Sequence, residues 1–512
     1  MTRAPFRRIL VANRGEIACR VIRGIQELGC EAVAVYSDAD AQALHVQSAD
    51  EAVLLGAAPP SESYLNIEKI LAAARASGSE AIHPGYGFLS ENAGFSRAVE
   101  EAGFVFLGPT AQAMEEMGGK RRAKEIAESA GVQGVPGFDG RDADDARFRS
   151  EAERIGFPLL IKASAGGGGR GMRLVERAED FAEAFLAGQR EAIAAFGDGT
   201  MILEKYVHPS RHIEVQIFGD GQGDAIALGE RECSVQRRHQ KVLEESPSPV
   251  VDAELRRSLE EAAVSLARSI GYRNAGTIEF LLDEDNRFYF LEANTRLQVE
   301  HPVTEIVTGF DLVQAQILLA AGYGLAELFP EAQRQPKGWA MEARICAEDP
   351  EHGFLPASGR LEVCQIPEGP GIRVDTGFVT GSHIPVFYDS LIAKVIVQGI
   401  DRDTCLRRLE LALEHSAWLG FPTNVDFLLE VIRHPAFRAG DLRTDFLETH
   451  PELLATRTGP PPEASLIAAA LAPCFKQAGH AGAGVSPSAT DGDLGDPYSP
   501  WKDHDGFRLA GS

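Results

Sequence analysis

Short apolar runs alternate with segments of helical periodicity along the first part of the chain. In the first connection, Ile17, Val21, Ile22, Ile25 and Leu28 recur at the spacing of an amphipathic helix. Alternation of strands and helices at this interval is typical of a parallel sheet covered on both faces. It predicts a doubly wound α/β domain over residues 1–115, with strands at 9–12, 32–36, 52–55, 81–83 and 104–107.

The pattern then changes to one of strands paired with neighbouring strands. Runs at 157–163 and 172–175 read as strands on either side of a glycine cluster, and a helix is predicted at 254–270 ahead of a hairpin at 277–294. This pattern predicts an α+β domain over residues 116–335, with further strands at 201–207, 213–218 and 225–229.

A third domain is predicted over residues 336–450, where Gly, Pro and β-branched residues precede helical patterns at 402–419 and 425–432. Residues 451–512 contain one apolar helix candidate at 464–471 and a stretch rich in Gly, Ala, Ser, Pro and Asp at 479–496. The composition of that stretch is typical of a linker.

Composition excludes several classes of protein. A chain of 512 residues exceeds the size of one hydrophobic core, and 50 Lys plus Arg against 75 Asp plus Glu give a net charge of -25 that would repel nucleic acid. No run of eighteen apolar residues and no apolar signal core occurs, and the seven scattered cysteines include no CxxC pair. We therefore expect a cytoplasmic protein with reduced thiols that binds neither membrane nor nucleic acid.

The glycine cluster in GGGGRGM, residues 166–172, formally contains the GxGxxG pattern of dinucleotide-binding proteins. That pattern requires a helix to follow, whereas a strand follows here. A flap whose backbone N–H groups approach a polyphosphate fits better, and Lys162 would add a cation. A flexible hairpin with a surface lysine remains the alternative. The chain has no GxxxxGK[ST] motif, so phosphate binding would depend on the flap, lysines and a metal.

The hairpin TIEFLLDEDNRFYFLEAN places several polar residues on one face. A four-residue turn at 283–286 would pair Glu279 with Phe290 and place Glu279 diagonal to Glu292, with Asn294 on the same side. Two carboxylates and an amide suit Mg²⁺, which prefers oxygen ligands. A solvated sheet face is the alternative, although Phe288 and Phe290 are predicted on that same face.

The next segment, NTRLQVEHPVTE, would keep Asn294, Arg296, Gln298 and Glu300 on one side of an extended backbone. Arg296 offers a planar fork for a small oxyanion, and Glu300 could act as a base on that ligand. A surface ion pair is the alternative. Basic residues also cluster in QRRHQKVLEESPSP, at Arg237, Arg238, His239 and Lys241. A basic loop without a binding role is the alternative.

Taken together, the chain resembles the biotin carboxylase family of the ATP-grasp superfamily from about residue 8 to about residue 447. The motifs ILVANRGEIACRVIR, AIHPGYGFLSEN, LLIKASAGGGGRGMR, EKYVHPSRHIEVQ, RECSVQRRHQKVLEESPSP, FLEANTRLQVEHPVTE, MEARICAEDP and FYDSLIAKVIV occur in that family's order. The resemblance implies an N-terminal α/β domain, an ATP-grasp domain with a glycine-rich lid at about 136–207, and a C-terminal biotin carboxylase domain.

The resemblance also implies roles for individual residues. The ATP contacts would be Lys120, Lys162, Gly166, Gly167, Gly168, Gly169, Glu204, Lys205, Val207, His212, Gln236 and His239. The bicarbonate site would comprise Lys241, Arg296, Gln298, Val299 and the base Glu300, and the biotin contacts would be Tyr86, Gly87 and Arg344. The metal, Mg²⁺ or Mn²⁺, would be bound by Glu279, Glu292 and Asn294. The catalytic residues would be Glu300, Arg296, Lys241 and Arg344.

The reaction implied is the ATP-dependent carboxylation of biotin through carboxyphosphate, the first half-reaction of an acyl-CoA carboxylase. Another ATP-grasp ligase that activates a carboxylate or bicarbonate for transfer to an amine is the alternative. A nicotinamide dehydrogenase is disfavoured because the first turn, ANRGEIA, has one glycine where the fingerprint needs three. A noncatalytic homologue is disfavoured because every expected polar catalytic residue is present.

The resemblance further implies partners: a biotin carboxyl carrier domain, a carboxyltransferase subunit, and a homodimer or larger hetero-oligomer. The last residues, YSPWKDHDGFRLAGS, resemble the segment that follows biotin carboxylase in long α-subunits such as those of 3-methylcrotonyl-CoA carboxylase. None of the six methionines has a neighbouring lysine, whereas the biotin-bearing lysine of carrier domains lies between two methionines. We therefore expect biotin to be a carried substrate, not covalently attached to this chain.

Overall fold

The computed structural model describes residues 4–140, 144–164, 172–238 and 240–454, together with position 467. Residues Met1–Thr456 belong to one compact unit, and all the helices and strands named here lie within it. Within the described residues, no single helix combines the length and apolar composition needed to cross a bilayer, although the bent pair His301–Thr308 and Leu312–Ala320 passes on those two criteria.

An α/β domain forms first, as the alternating pattern predicts. Its described strands form a parallel sheet in the order β3-β2-β1-β4-β5. The strands are β1 (Arg8–Val11), β2 (Glu31–Ser37), β3 (Glu51–Gly56), β4 (Ala81–His83) and β5 (Val105–Phe106). The helices are α1 (Gly15–Glu27), α2 (Leu44–Ser48), α3 (Ile67–Ser77), α4 (Ala93–Glu101) and α5 (Ala111–Gly118).

Strand β1 lies at the centre of this sheet and leads directly to a large cleft. Its residues Ile9, Leu10 and Val11 are completely buried, because helices cover both faces of the sheet. The turn from β1 into α1 leaves the carboxyl edge of the sheet, where ligands bind in open α/β folds. Asn13 in this turn and Glu16 in the first turn of α1 line the cleft.

A smaller antiparallel sheet follows in the range predicted for the lid. Helix α6 (Lys120–Ser129) precedes it, and Phe148, Phe181 and Phe185 pack in a core of its own. Its strand order is β6-β9-β7-β8, and β7 pairs with β8 on either side of the glycine cluster, as predicted. Its elements are β6 (Gly137–Asp139), α7 (Asp145–Ile155), β7 (Leu159–Ala163), β8 (Arg173–Val175), α8 (Phe181–Phe196) and β9 (Met201–Lys205).

The largest sheet carries most of the polar residues of interest. Its order is β14-β13-β10-β11-β12-β15-β22-β20, and it continues across the boundary predicted at residue 335. Its first part comprises β10 (Ser210–Asp220), β11 (Ala225–Arg237), β12 (Gln240–Ser246), α9 (Ala253–Ser269), β13 (Arg273–Asp283) and β14 (Phe288–Asn294). Helices α10 (His301–Thr308), α11 (Leu312–Ala320) and α12 (Leu325–Leu328) come next, before β15 (Trp339–Cys346).

The C-terminal region completes that sheet and adds small hairpins. Its strands are β16 (Glu348–Asp349), β17 (Leu355–Pro356), β18 (Gly359–Arg360), β19 (Val363–Gln365), β20 (Ile372–Thr376), β21 (His383–Ile384), β22 (Leu391–Gly399) and β23 (Ala417–Leu419). Its helices are α13 (Arg402–Glu414), α14 (Val425–Arg433), α15 (Pro435–Ala439) and α16 (Phe446–Thr449). The predicted mixture of α/β and α+β architecture is confirmed.

One predicted helix is too long. The pattern predicts a helix over 402–419, but α13 ends at Glu414 and residues Ala417–Leu419 form β23, which pairs with β19. Trp418 is buried while Leu419 is exposed, so side chains alternate as in a strand. Pairing with a distant strand therefore overrides the local helical pattern.

Candidate functional site

A cleft of about 1290 Å³ opens between the N-terminal domain, the lid sheet, the large sheet and the C-terminal strands. Most of the predicted site residues line it: Tyr86, Gly87, Lys162, Glu204, Lys205, Val207, His212, Gln236, Lys241, Glu279, Glu292, Asn294, Arg296, Gln298, Val299 and Arg344. Glu300 is completely buried and touches two of them, Lys241 and Arg344. Gly166, Gly167, Gly168, Gly169, His239 and the side chain of Lys120 lie outside the described parts of the chain.

Two carboxylates of the hairpin β13–β14 lie directly opposite each other. Glu279 pairs in register with Glu292, and a bulge separates this pair from the pair Phe280 and Phe290. The prediction that Glu279 pairs with Phe290 is therefore wrong. An extra residue in one strand shifts the register and reverses the facing of the side chains beyond it. Phe288 and Phe290, predicted on the carboxylate face, pack in the core on the opposite side.

Glu279 is the polar centre of this hairpin. Its Oε1 accepts hydrogen bonds from Lys241 Nζ at 2.8 Å, Asn294 Nδ2 at 2.8 Å and Gln298 Nε2 at 3.2 Å. Its Oε2 lies 2.9 Å from His212 Nε2. Burial alone would raise the pKa of Glu279, but Lys241 and His212 outweigh burial and hold that pKa well below its usual range. This carboxylate therefore stays ionised.

The segment after β14 brings two polar side chains to the guanidinium of Arg296. Arg296 Nη2 donates to Asn294 Oδ1 at 3.1 Å, and its Nη1 donates to Gln298 Oε1 at 2.9 Å. Arg296 Nε donates to Glu91 Oε2, 2.8 Å away on the N-terminal domain. The extended path predicted to reach Glu300 is interrupted by a turn at Val299 and Glu300. Glu300, with φ -81° and ψ 11°, is the N-cap of α10, and Pro302 lies in the first turn of that helix.

A buried ion cluster forms the floor of the cleft. Lys241 Nζ donates to Glu300 Oε1 at 2.7 Å, and Arg344 Nη2 donates to Glu300 Oε2 at 3.0 Å. Burial would raise the pKa of Glu300, but Lys241, Arg344 and Arg231 reverse this and hold its pKa well below the usual range. Glu300 is therefore a carboxylate at neutral pH, with both oxygens held by cations.

Several charged residues lie beneath this cluster that were not predicted from the sequence. Glu214 on β10 is bound by Lys241, and by Arg231 of β11, which also donates to Gln216 and Thr304 at 2.9 Å each. Glu244 on β12 accepts from Arg344 Nε at 2.6 Å. The signal was the presence of charged residues inside otherwise apolar strands, in RHIEVQIF, ALGERECSV and KVLEES.

The lid side of the cleft holds a second ionic group. The carboxylate of Glu204, predicted as an adenine contact, is bound by both Lys162 and Lys124. Burial would raise its pKa, but these two lysines lower the pKa of Glu204 to about 2. Lys124 was not predicted. The Nζ of Lys205 donates to the carbonyl oxygens of Gly156 and Phe157, at 3.2 and 3.0 Å.

The predicted biotin contacts come from two domains. Tyr86 and Gly87 follow β4 in the N-terminal domain, and Gly87 adopts φ +69°, a backbone conformation that favours glycine. Asn13 Nδ2 donates to the Tyr86 carbonyl at 2.7 Å, which fixes this loop to the turn after β1. The Tyr86 hydroxyl has no hydrogen-bond partner among the described residues. This oxygen is buried, so it is an unsatisfied polar atom beside the cleft.

The donor set suits a hard divalent cation. Glu279 and Glu292 face each other across one strand pair at the edge of the cleft, and carboxylates together with phosphate oxygens are the ligands that Mg²⁺ prefers. Asn294 also lies there, with its amide oxygen engaged by Arg296 and its Nδ2 directed to Glu279. The oxygens of Glu279 are engaged as well, by Lys241, Asn294, Gln298 and His212. The ligand set of Glu279, Glu292 and Asn294 therefore stays a prediction.

Three family models match the chain in succession. They are the N-terminal domain of biotin carboxylase over residues 5–114, the ATP-binding domain of the carbamoyl-phosphate synthase L chain over 119–328, and the C-terminal domain of biotin carboxylase over 342–449. A biotin carboxylase of Nostoc is 50% identical over 443 residues, covering 86% of this chain and 99% of the relative. The mitochondrial methylcrotonoyl-CoA carboxylase α-subunit of Glycine max is 51% identical over 453 residues, covering 88% of this chain. The match spans only 61% of that longer relative.

Solved structures agree with the architecture. The biotin carboxylase domain of Hydrogenobacter thermophilus 2-oxoglutarate carboxylase, in complex with MgADP, ADP and bicarbonate, is 45% identical, with a TM-score of 0.83. The match covers 88% of this chain and 99% of that domain. Biotin carboxylase of Campylobacter jejuni, in a β-γ-ATP complex, is 44% identical, with a TM-score of 0.82 and coverage of 87% and 99%.

Proposed function

The chain belongs to the biotin carboxylase family, and from this premise we propose that it uses ATP and bicarbonate to carboxylate biotin through carboxyphosphate. It is thus an ATP-dependent ligase that forms a carbon–nitrogen bond. The observation that carries this proposal is the buried cluster in which Lys241 and Arg344 hold the two oxygens of Glu300 beside the Glu279–Glu292 pair. The proposed base, two cations and the two proposed metal ligands thus lie together at one side of the cleft.

The first chemical step that this site supports is the activation of bicarbonate. Glu300 removes the bicarbonate proton, while Lys241 and Arg296 hold the resulting dianion in place. An oxygen of that dianion attacks the γ-phosphate of ATP, ADP leaves, and carboxyphosphate forms. Mg²⁺ bound by Glu279 and Glu292 would neutralise phosphate charge as it develops. Lys162 would add a cation on the lid side of the cleft.

The second step transfers the carboxyl group. Carboxyphosphate breaks down to CO₂ and phosphate, and the phosphate takes the proton of the ureido nitrogen of biotin. That nitrogen then attacks CO₂, while Arg344 stabilises the enolate-like oxygen of the ureido group. Arg344 suits this role because it lies at the cleft, 3.0 Å from Glu300, so that the base and the cation act in one place.

The enzyme in which this chain acts is inferred from its longer relatives. Its longer relatives are α-subunits of methylcrotonoyl-CoA and propionyl-CoA carboxylases. We infer that the chain works with a biotin carboxyl carrier domain and a carboxyltransferase subunit, as a homodimer or within a hetero-oligomer. Biotin is the carried substrate, and a carrier raises its effective concentration at the cleft. We propose a cytoplasmic location, although several relatives are mitochondrial.

Phosphate release from MgATP tests the proposal, measured with and without bicarbonate and free biotin. We expect release to depend on bicarbonate and to rise further when biotin is added, and carboxybiotin to accumulate with it. Turnover that needs bicarbonate or another carboxylate, but is indifferent to biotin, would contradict the proposal. It would favour the other candidate, an ATP-grasp ligase that transfers an activated carboxylate to an amine.

A further inference from the structure

Two glutamates lie side by side in the large sheet, behind Arg344. Glu244 of β12 pairs in register with Glu342 of β15. Residues directly opposite in an antiparallel pair project from the same face, with Cβ atoms about 5 Å apart. The exposed fractions of Glu244 and Glu342 are 2% and 0%. Two carboxyl groups therefore share one buried position, where two negative charges would repel each other strongly.

Hydrogen bonds satisfy only one of the four carboxyl oxygens of this pair. Glu244 Oε1 accepts from Arg344. Glu244 Oε2 and both oxygens of Glu342 have no hydrogen-bond partner among the described residues. Buried carboxylates are normally paired or hydrogen-bonded, and an unpaired buried charge costs several kcal/mol. One proton between the two groups removes one charge and supplies a donor.

The cations nearby are already paired with other carboxylates. Arg344 also binds Glu300, and Lys394 of β22, which pairs in register with Arg344, lies 3.4 Å from Glu16. The charged and titratable groups on the elements packed around the pair are Arg231, Lys241, Arg344, Lys394, Asp375, Glu16, Glu300, His301 and Glu305. Burial raises the pKa of Glu244 to about 7. Burial and the adjacent Glu244 raise the pKa of Glu342 well above its usual range.

We propose that Glu244 and Glu342 hold one shared proton, and that this proton limits the negative charge behind Arg344 to a single carboxylate, so that its guanidinium also reaches Glu300 at the cleft. Glu244 and Glu342 are thus positioning residues for Arg344. Loss of the proton would place a second negative charge behind Arg344, strengthen the bond that its Nε already makes to Glu244 and weaken its hold on a negative oxygen in the cleft. Carboxybiotin formation should then fall as pH rises through this ionisation. Only this kinetic consequence rests on the proposed function.

Thermal stability tests the shared proton without reference to activity. When folding raises the pKa of a carboxyl group, that group lowers the stability of the protein as pH rises from its pKa in the unfolded chain toward its pKa in the folded chain. Glu342→Gln cannot ionise, so its Tm should increase relative to the wild type from about pH 5.5 to about pH 8.5. The control is Glu245→Gln, the next residue of β12, which loses a bond to Arg402. Its Tm should fall by a similar amount at both pH values.

A Tm difference for Glu342→Gln that is the same at both pH values would overturn the shared proton. If that variant fails to fold, Glu244→Gln reports on the same pair and should show the same pH-dependent Tm difference. The kinetic test follows carboxybiotin formation against pH, where Glu342→Gln should move the alkaline decline to higher pH. An unchanged profile would overturn the effect on Arg344. A wild type that makes no carboxybiotin at any pH would refute the proposed function and leave the Tm result standing.

Discussion

Lys241 Nζ lies 2.7 Å from Oε1 of Glu300, so the proposed base is held by a buried ammonium group from another strand. The same ammonium donates to Glu279, at 2.8 Å. One lysine therefore connects the residue that would take a proton from bicarbonate with a residue that would hold the metal. Glu300 is completely buried, and both of its oxygens are bound by Lys241 and Arg344. A substrate can therefore reach Glu300 only if one of these two cations turns from Glu300 to the substrate.

Replacement of the base should stop the chemistry and spare nucleotide binding. Glu300→Gln keeps the shape of the side chain but cannot accept the bicarbonate proton, so biotin-dependent ATP cleavage should fall by about 10²–10⁴-fold. The affinity for MgATP, measured by calorimetry, should change little. The matched control is Glu348→Gln, since Glu348 also lines the cleft but bonds to Ser390. Unchanged turnover of Glu300→Gln would remove Glu300 from the mechanism.

Arg344→Ala should separate the two steps of the reaction. Carboxyphosphate should still form, so bicarbonate-dependent ATP cleavage persists, but carboxybiotin should not accumulate because the enolate-like oxygen loses its cation. The measurement is the ratio of carboxybiotin formed to ATP cleaved. Arg344→Lys is the control, because it keeps the charge and loses the fork that reaches both Glu244 and Glu300. A parallel loss of both activities would show that Arg344 has a structural role.

Glu204 should make the lid sheet sensitive to acid. Its pKa is lowered to about 2 by Lys162 and Lys124 after the opposing effect of burial. A carboxylate whose pKa is lower in the folded protein stabilises the fold at pH values above its pKa in the unfolded chain, about 4.5. That contribution is lost as pH falls toward 2. Glu204→Gln should therefore destabilise the protein at pH 7 by on the order of 3 kcal/mol and less at pH 4, as measured by urea unfolding. An equal loss at both pH values would contradict this account.

Arg231 should be among the most sensitive positions for folding. It is completely buried and binds Glu214, Gln216, Thr277 and Thr304. Arg231→Met removes one of the two cations that bind Glu214 and leaves only Lys241, so the free energy of unfolding should fall by about 3–5 kcal/mol. Arg287→Met breaks an exposed ion pair with Asp283 and should cost about 1 kcal/mol or less. Similar losses of unfolding free energy in both variants would show that the buried ion pair stabilises the protein no more than the exposed one.

The sequence predicts those parts of the molecule that local pattern controls. The N-terminal alternation of strands and helices and the hairpin around the glycine cluster follow from spacing along the chain. The same spacing places Arg296 beside Gln298, whereas Glu300 lies in a turn that spacing does not predict. The facing of Phe290 was predicted wrongly because a bulge is not visible as a change of composition. β23 was mistaken for helix because its partner, β19, lies more than fifty residues away.

The buried charges could be predicted only in part, for a different reason. A charged residue in an apolar strand signals a buried partner, but Glu214 and Arg231 meet through pairing between β10 and β11, with a bulge nearby. The lysine that completes the Glu204 site, Lys124, lies on a helix eighty residues earlier. Such partners are determined by the tertiary fold, and residue spacing does not reveal them.

Transfer of labelled oxygen from bicarbonate to phosphate reports directly on the carboxyphosphate route. If an oxygen of bicarbonate attacks the γ-phosphate and carboxyphosphate then releases CO₂, the bridging oxygen stays with phosphorus. With ¹⁸O-labelled bicarbonate, MgATP and biotin, we expect one ¹⁸O atom in each phosphate released, at a rate that biotin increases and that Glu300→Gln lowers by about 10²–10⁴-fold. Phosphate that carries no label while carboxybiotin accumulates would contradict the carboxyphosphate route.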